Sequence, residues 1–444
     1  MIGMKSRFKF SEILLTAGTF IVFALSIVLW IFIMTNDQYF SRIDQTNNVS
    51  QNSRSRRSRI IYNLYLPTSA YGFKNGQPYR LYDAKKNLPL EYIKDLKKVK
   101  YKNIREVSSS QKEYEAMLND PKYLQLTFPN EVSVNLFTKK NLKSTDQTFR
   151  RSFISPNNDV LYLGNDKTTT IYRVEIANAN FNRLREYAAK SRAKKPVKFV
   201  RMKNSYETFY DQPENWRVYS YLTNTQTDSY FVSRLLGTAN VTSSNNKKGW
   251  TTYSLNYYTK LRVPDAKAGR HDMLYTRYEK QKNLSENDRL INSVEYVHKL
   301  GLSEQDLRYF DTTKDKLSYS NYIEGMPVFM GKHSPQVSTK LTQDTEEVAF
   351  SNLELQIPIP YDGQTRTLPA TGTVIQRLVN AGLKKTEIQR IIVAYRIEKD
   401  HSHDSLVNLI PTYYIKAYDQ WKSAQAWEKQ DFNKLAVKSQ GEGK

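Results

Sequence analysis

A run without a single charged residue, Ile13 to Met34, settles the first question about this chain. As a helix rising 1.5 Å per residue it spans about 33 Å, enough to cross the hydrocarbon core of a bilayer. Its apolar core is too long for a secretory leader, and no small-x-small cleavage site follows before Asn36. The run predicts a retained membrane helix. Lys5, Arg7 and Lys9 precede it, whereas Asp37, Arg42 and Asp44 follow closely. Positive charge stays on the cytoplasmic side, so the N-terminus is expected inside and the bulk of the chain outside. Arg54, Arg56, Arg57 and Arg59 lie on the far side. They begin about 20 residues beyond the span, at the edge of the window in which such charges count. The reading is a cytoplasmic tail (1–12), a transmembrane helix (13–34) and a flexible stalk (35–58) rich in Asn, Gln, Ser and Arg.

The remaining length suffices for several domains with real cores. Thirty-two tyrosines, with many Thr and Val, point to half-buried sheet surfaces. There is no cysteine, which excludes a structural disulfide and a thiol nucleophile. A net charge of +23 favours polyanionic surroundings such as anionic lipid or wall polymers. The basic clusters, Lys94 to Lys102 and Lys190 to Lys198, carry no nucleic-acid motif and read as solvated faces.

Beyond the stalk the pattern predicts an α+β region of mainly antiparallel sheets with flanking helices. Val160 to Asp166 and Thr168 to Ile176 alternate as a hairpin, and Phe181 to Ala189 follows as a helix. The basic stretch broken by Pro196 ends a first domain, 59–196. Trp216 to Leu222 and Thr251 to Arg262 read as strands of a second, 197–284, with a short helix capped by Asp228. Ser285, with Asp288 three residues on, opens a helix that Gly301 ends, and a third domain, 285–430, starts there. Its strands are Leu317 to Met330, Glu347 to Ile357, Ile388 to Glu398 and Leu406 to Tyr418, with a helix from Thr373 to Gly382 and a polar tail at 431–444. Gly301-Leu302 and Gly382-Leu383 precede similar strands at an offset of 81 residues. Either a duplicated helix–strand unit or a common cap explains this.

Chemistry is sparse. His401 and His403 flank Ser402 in a polar loop, and His271, His298 and His333 stand apart. The nucleophile elbow, the Walker loop and the dinucleotide fingerprint are all missing. Glu346-Glu347 reads as a solvated pair in a charged loop. The expectation is a non-catalytic protein without cofactor or metal.

One string is distinctive: Tyr322-Ile323-Glu324-Gly325-Met326-Pro327-Val328-Phe329. Its EG-x-PVF pattern resembles the signature strand of the YycH regulators. The layout is similar too: a basic N-terminus, one span ending near Trp30, a Gly-capped helix (Val374 to Gly382), then strands with Tyr395-Arg396 and with Pro411 and Tyr413, ending near Trp421. Within the string, Gly325 relaxes the strand into a bulge or a close backbone approach, Pro327 suits an edge or bulge, and Tyr322, Glu324 and Phe329 complete the set.

The resemblance implies a Gram-positive, membrane-anchored partner of the sensor histidine kinase WalK (YycG), which controls cell-wall genes. It implies action together with YycI, through membrane and extracytoplasmic contacts, and a last domain that resembles YycI. In the span, Ala17, Phe20 and Ala24 share one face and are the expected helix–helix contacts. The competing reading is an anchored binder of wall polyanions or anionic lipid, drawn from the charge. Membrane lipid is an expected contact in either case, and nucleic acid in neither.

Overall fold

Alternating apolar residues and tight turns build two large sheets in a computed structural model of the chain. The structure describes residues 60–432 except 83–85, 139–146, 192, 247–248, 266–269, 281–283, 303–305, 332–333, 360–362 and 401, together with Thr19, Val22, Phe23 and Ser26. The chain divides into a unit of residues 1–52 and a unit from Ser53 to Lys444. In the first, the four described residues are helical and exposed. Among the described residues no helix is long and apolar enough to cross a membrane. The expected span 13–34 lies almost wholly outside them, as do Ala17, Phe20 and Ala24.

The larger unit is α+β. Strands β1 (Ser69–Lys74), β2 (Gln77–Tyr82), β3 (Lys100–Ser108), β4 (Leu124–Ser133), β5 (Thr148–Ile154), β6 (Val160–Asn165), β7 (Thr170–Ala177) and β8 (Ala193–Pro196) form one sheet, ordered β3-β7-β6-β5-β4-β1-β2-β8. Helices α1 (Leu88–Leu96) and α3 (Asn182–Lys190) pack Tyr92, Ile93 and Leu184 into its core, and α2 (Gln111–Leu118) buries Tyr114 and Leu118 on a smaller cluster. The hairpin β6–β7 and helix α3 fall where the sequence pattern places them. The basic stretch after α3 becomes β8, paired with β2.

A ribbon of β9 (Lys198–Arg201) and β10 (Tyr206–Phe209) follows. Then come β11 (Glu214–Arg217), β12 (Tyr219–Thr225), α4 (Asp228–Leu235), β13 (Thr242–Asn246), β14 (Trp250–Ser254), β15 (Thr259–Pro264), β16 (Asp272–Tyr278) and α5 (Glu286–Lys299). The chain continues through β17 (Leu307–Thr313), β18 (Lys316–Ile323), β19 (Met326–Phe329), β20 (Val337–Leu341), β21 (Thr345–Ser351), β22 (Leu353–Ile359) and β23 (Thr365–Leu368). It closes with α6 (Thr371–Asn380), β24 (Ile388–Lys399), β25 (Leu406–Ala417), β26 (Gln420–Ser423) and α7 (Ala424–Glu428). Fourteen of these strands make the second sheet, ordered β13-β14-β15-β16-β21-β20-β18-β19-β24-β25-β12-β22, with β17 beside β18 and β26 beside β25. The β19–β24 pair is parallel, Val328 opposite Tyr395; the others in this sheet are antiparallel.

Several expected strands are broken, each for a local reason. Trp216 to Leu222 divides at Val218, whose N–H donates to the Gln364 carbonyl, so β11 and β12 enter different sheets. Thr251 to Arg262 is a hairpin, because the Asn256 side chain accepts from the amides of Tyr258 and Thr259 and turns the chain. Glu347 to Ile357 divides into β21 and β22. The cap of α4 is Thr227 and not Asp228. The Ser285–Asp288 capping box is present on α5. Gly301 and Gly382 both adopt positive φ after their helices, and each is followed by a buried leucine and an antiparallel hairpin, β17–β18 or β24–β25. The local plan is therefore repeated in the structure.

Candidate functional site: the signature turn and a buried ion-pair chain

The expected strand Leu317 to Met330 is a hairpin, folded at Glu324 and Gly325 between the pairs Ile323–Met326 and Tyr322–Pro327. Both turn residues have positive φ, 52° and 73°, the geometry of a type I′ loop. Strand β18 pairs with β20, and β19 with β24, so this hairpin joins the two halves of the long sheet. Its tip meets the first sheet. A Cβ on Gly325 would stand 2.2 Å from the Thr68 carbonyl oxygen, and Arg80 Nη2 donates to the Glu324 carbonyl at 2.7 Å.

The remaining signature side chains are structural neighbours. The Glu324 carboxylate accepts from the Tyr219 hydroxyl and lies 3.9 Å from the Arg217 guanidinium. Phe329 is fully buried and stacks on Tyr414 at 3.7 Å between ring centroids, beside Phe310 and Trp421. Pro327 lies in the short strand β19, opposite Tyr322.

Behind the turn runs a chain of buried charges that the sequence reading did not anticipate. Arg151 grips Asp166 with two bonds, Nε to Oδ1 at 2.8 Å and Nη2 to Oδ2 at 3.2 Å. Arg150 Nη1 bridges Asp166 Oδ2 at 2.8 Å and Glu207 Oε1 at 3.0 Å. Glu207 accepts from Arg390 Nε at 3.1 Å, and Arg390 approaches Asp311 at 3.7 Å. Asp311 accepts from Lys416 Nζ at 2.6 Å, Trp421 Nε1 at 2.9 Å and Asn130 Nδ2 at 2.9 Å. The chain thus passes from β5 through the β6–β7 turn and β10 to β24, β17 and β25, tying both sheets and the ribbon together. A cue was present: Arg150-Arg151, Arg390 and Lys416 each stand beside large apolar residues within a strand, and a charge buried there must find a partner.

Burial opposes the charge on Asp166, but Arg151 and Arg150 outweigh it and hold the carboxyl at about 2. Burial likewise opposes ionisation of Glu207, and Arg150 and Arg390 bring it below the usual range. Both are depressed acids. Their stabilisation is present above the unfolded value, 3.8 for Asp166, and is lost as pH falls through the folded one. Asp166 alone contributes roughly 2 kcal/mol this way. The expected outcome is a steep fall of the thermal midpoint between about pH 4 and pH 2, followed by calorimetry. A flat midpoint across that window would show that the pairs are not formed.

The other candidates stay apart. His401 and His333 lie outside the described residues, and His403 is exposed with Nδ1 3.5 Å from Asp400. His271 meets Asn352 at 3.1 Å. Among the described residues no group of His, Asp and Glu is arranged to hold a metal. Glu346 and Glu347 are not a solvated loop pair: they sit on β21, with Glu346 buried and accepting from the Tyr296 hydroxyl. Strand alternation puts the two on opposite faces.

No curated protein sequence matches the chain. The crystal structure of YycH from Bacillus subtilis matches the fold with a TM-score of 0.67 at 14% identity, covering 82% of this chain and 96% of that one. Residues 209–431, which hold the signature turn, Arg390, Asp311 and Lys416, match the family "YycH protein, C-terminal domain", and the chain belongs to the YycH family.

Proposed function

We propose that the chain is a membrane-anchored, extracytoplasmic accessory protein that biases a WalK/YycG-type sensor histidine kinase, acting with a YycI-like partner. Membership of the YycH family over residues 209–431 is the observation that carries this reading. The anchor is the uncharged run 13–34, with Lys5, Arg7 and Lys9 inside. The outer region is divided here at 59–196, 197–284 and 285–430, the last being the YycI-like part. The protein acts by contact and not by turnover. A kinase with two signalling states shifts toward the one that the accessory protein binds better, by the difference in binding energy. A differential of about 5.5 kcal/mol carries such an equilibrium from one extreme to the other.

Crosslinking from the membrane segment, followed by identification of the captured protein, tests the reading. A sensor kinase is the expected product. Salt-sensitive retention on teichoic acid with no kinase captured would support polyanion binding instead, the role that a net charge of +23 suits. Topology has its own test: protease added to intact protoplasts is expected to digest the chain beyond Asn36, and full protection would overturn the orientation.

Ala17, Phe20 and Ala24 are the proposed helix contacts, since small residues let helix backbones approach in lipid. Ala24→Leu is expected to weaken regulation while membrane insertion is unchanged, and Leu25→Ala to matter less. Full function with an unrelated span of equal length would reduce the helix to an anchor.

A further inference from the structure

Two small cavities flank the signature turn and share Thr68, Arg80, Tyr322 and Gly325 in their walls. The one on the Glu324 side encloses about 120 Å³ and is also lined by Asn87, Asp306, Arg308 and Glu324. A water takes roughly 10–15 Å³ of such space, so this cavity has room for a four-oxygen anion.

Arg80 is the anomaly. It is 8% exposed, yet among the described residues no carboxylate lies within ion-pair reach of it. Its one hydrogen bond goes to the Glu324 carbonyl, and its guanidinium stands 5.7 Å from the centre of the Trp216 ring. Buried cations are ordinarily paired. The contrast within this protein is sharp: Arg150, Arg151 and Arg390, equally buried, each hold a carboxylate. Arg308 is 4% exposed at its side chain and gives one bond, at 3.1 Å, to Asp306, whose own side chain is 69% exposed. A guanidinium has five donors, so most of Arg308's remain for the cavity. Tyr322 adds a hydroxyl with no partner among the described residues, kept protonated by burial. The two acids in the wall have contacts of their own. Asp306 is largely in solvent, and Glu324 is engaged by Tyr219 and Arg217.

We propose that this cavity binds a small oxyanion, a phosphate or a carboxylate, held by the guanidinium groups of Arg80 and Arg308 and the hydroxyl of Tyr322. Planar N–H forks match both anions in two-point geometry. The Asn87-capped start of α1 adds favourable polarity on the same wall. Because Arg80 also holds the turn carbonyl, an occupied cavity stiffens the joint between the sheets. The site stands independently of the kinase reading, since it rests only on the outer unit's geometry.

The test uses the full chain in detergent and follows the thermal midpoint and titration heat with inorganic phosphate or acetate, against chloride at equal ionic strength. A saturable response to phosphate or to acetate is expected, and the stronger one names the anion. Arg308→Gln and Tyr322→Phe are each expected to weaken it, the arginine change by about tenfold or more, as for a lost charge-assisted contact. Arg105→Gln, on an exposed arginine of β3 that lines neither cavity, is expected to leave it unchanged. Arg80→Gln is expected to abolish the response; if that variant fails to fold, Arg308→Gln and Tyr322→Phe decide the matter. No saturable response in the wild type, or one untouched by both variants, overturns the proposal.

Discussion

Asp166→Asn is expected to cost about 3–5 kcal/mol of folding stability, the usual penalty for stripping the partner from a buried ion pair. Asp166 has no exposed surface and accepts from Arg150, Arg151 and the Tyr114 hydroxyl, and from the Tyr206 amide. An asparagine keeps the shape and loses the charge, so two guanidiniums remain in low dielectric facing an amide. The half-exposed Arg173–Glu175 pair gives the contrast. Its side chains are 27% and 40% exposed, and breaking it by Glu175→Gln is expected to cost under about 1 kcal/mol. Urea unfolding followed by tryptophan fluorescence measures both. Equal midpoints for the two variants would show that the buried chain does not hold the sheets. Replacing Asp166 and Arg151 together by apolar residues of similar volume is expected to recover part of the loss, because the penalty lies in the orphaned charge and not in the missing bond.

How much of this was legible depends on the range over which each signal acts. The helices announced themselves through local chemistry: Ser285 and Asp288 cap each other, and Gly301 and Gly382 take the left-handed position that ends a helix. The hairpin at 160–177 was equally local. The buried charges were not. Arg150 and Asp166 are 16 residues apart, but Arg150 and Glu207 are 57 apart, and Lys416 and Asp311 are 105 apart. Periodicity says that Lys416 lies in a strand; it does not say which acid waits opposite. Glu346 fails for the same reason. Beside Glu347 it looks solvated, yet in the fold it is buried against Tyr296, on a helix 50 residues away, and near Arg277. Polar residues that a sequence assigns to the surface can therefore be the ones that hold separate sheets in register.

The signature turn was half legible: the close backbone approach expected at Gly325 is there, against Thr68, but the local signal for a hairpin was too weak to read. Two positive-φ residues close the hairpin, but the pair is Glu-Gly and not the Asn-Gly that marks such turns. The chain carries the stronger version as well: Asn75 and Gly76, with φ of 52° and 75°, close β1–β2 in the same way. The two turns differ in what surrounds them. A Cβ on Gly76 would meet nothing within 4 Å, whereas one on Gly325 would sit 2.2 Å from the Thr68 carbonyl oxygen, which is backbone and cannot swing aside.

This pair of turns makes a controlled experiment. Gly76→Val is expected to cost only the left-handed backbone penalty, about 1–2 kcal/mol. Gly325→Val bears that penalty and must also lift the turn off Thr68, which breaks the buried Arg80 bond to the Glu324 carbonyl at about 1–3 kcal/mol more. A total above about 3 kcal/mol is expected, with the two halves of the long sheet loosened at their join. Urea midpoints of the two variants give the difference directly. If the variants lose the same stability, the close approach at Thr68 carries no energy. If Gly325→Val keeps normal stability and loses binding to the proposed kinase partner, the turn is a contact surface and its place between the sheets is incidental. A larger loss at Gly325 with binding restored at low temperature, where the variant is folded, would assign the glycine to the architecture that presents the surface.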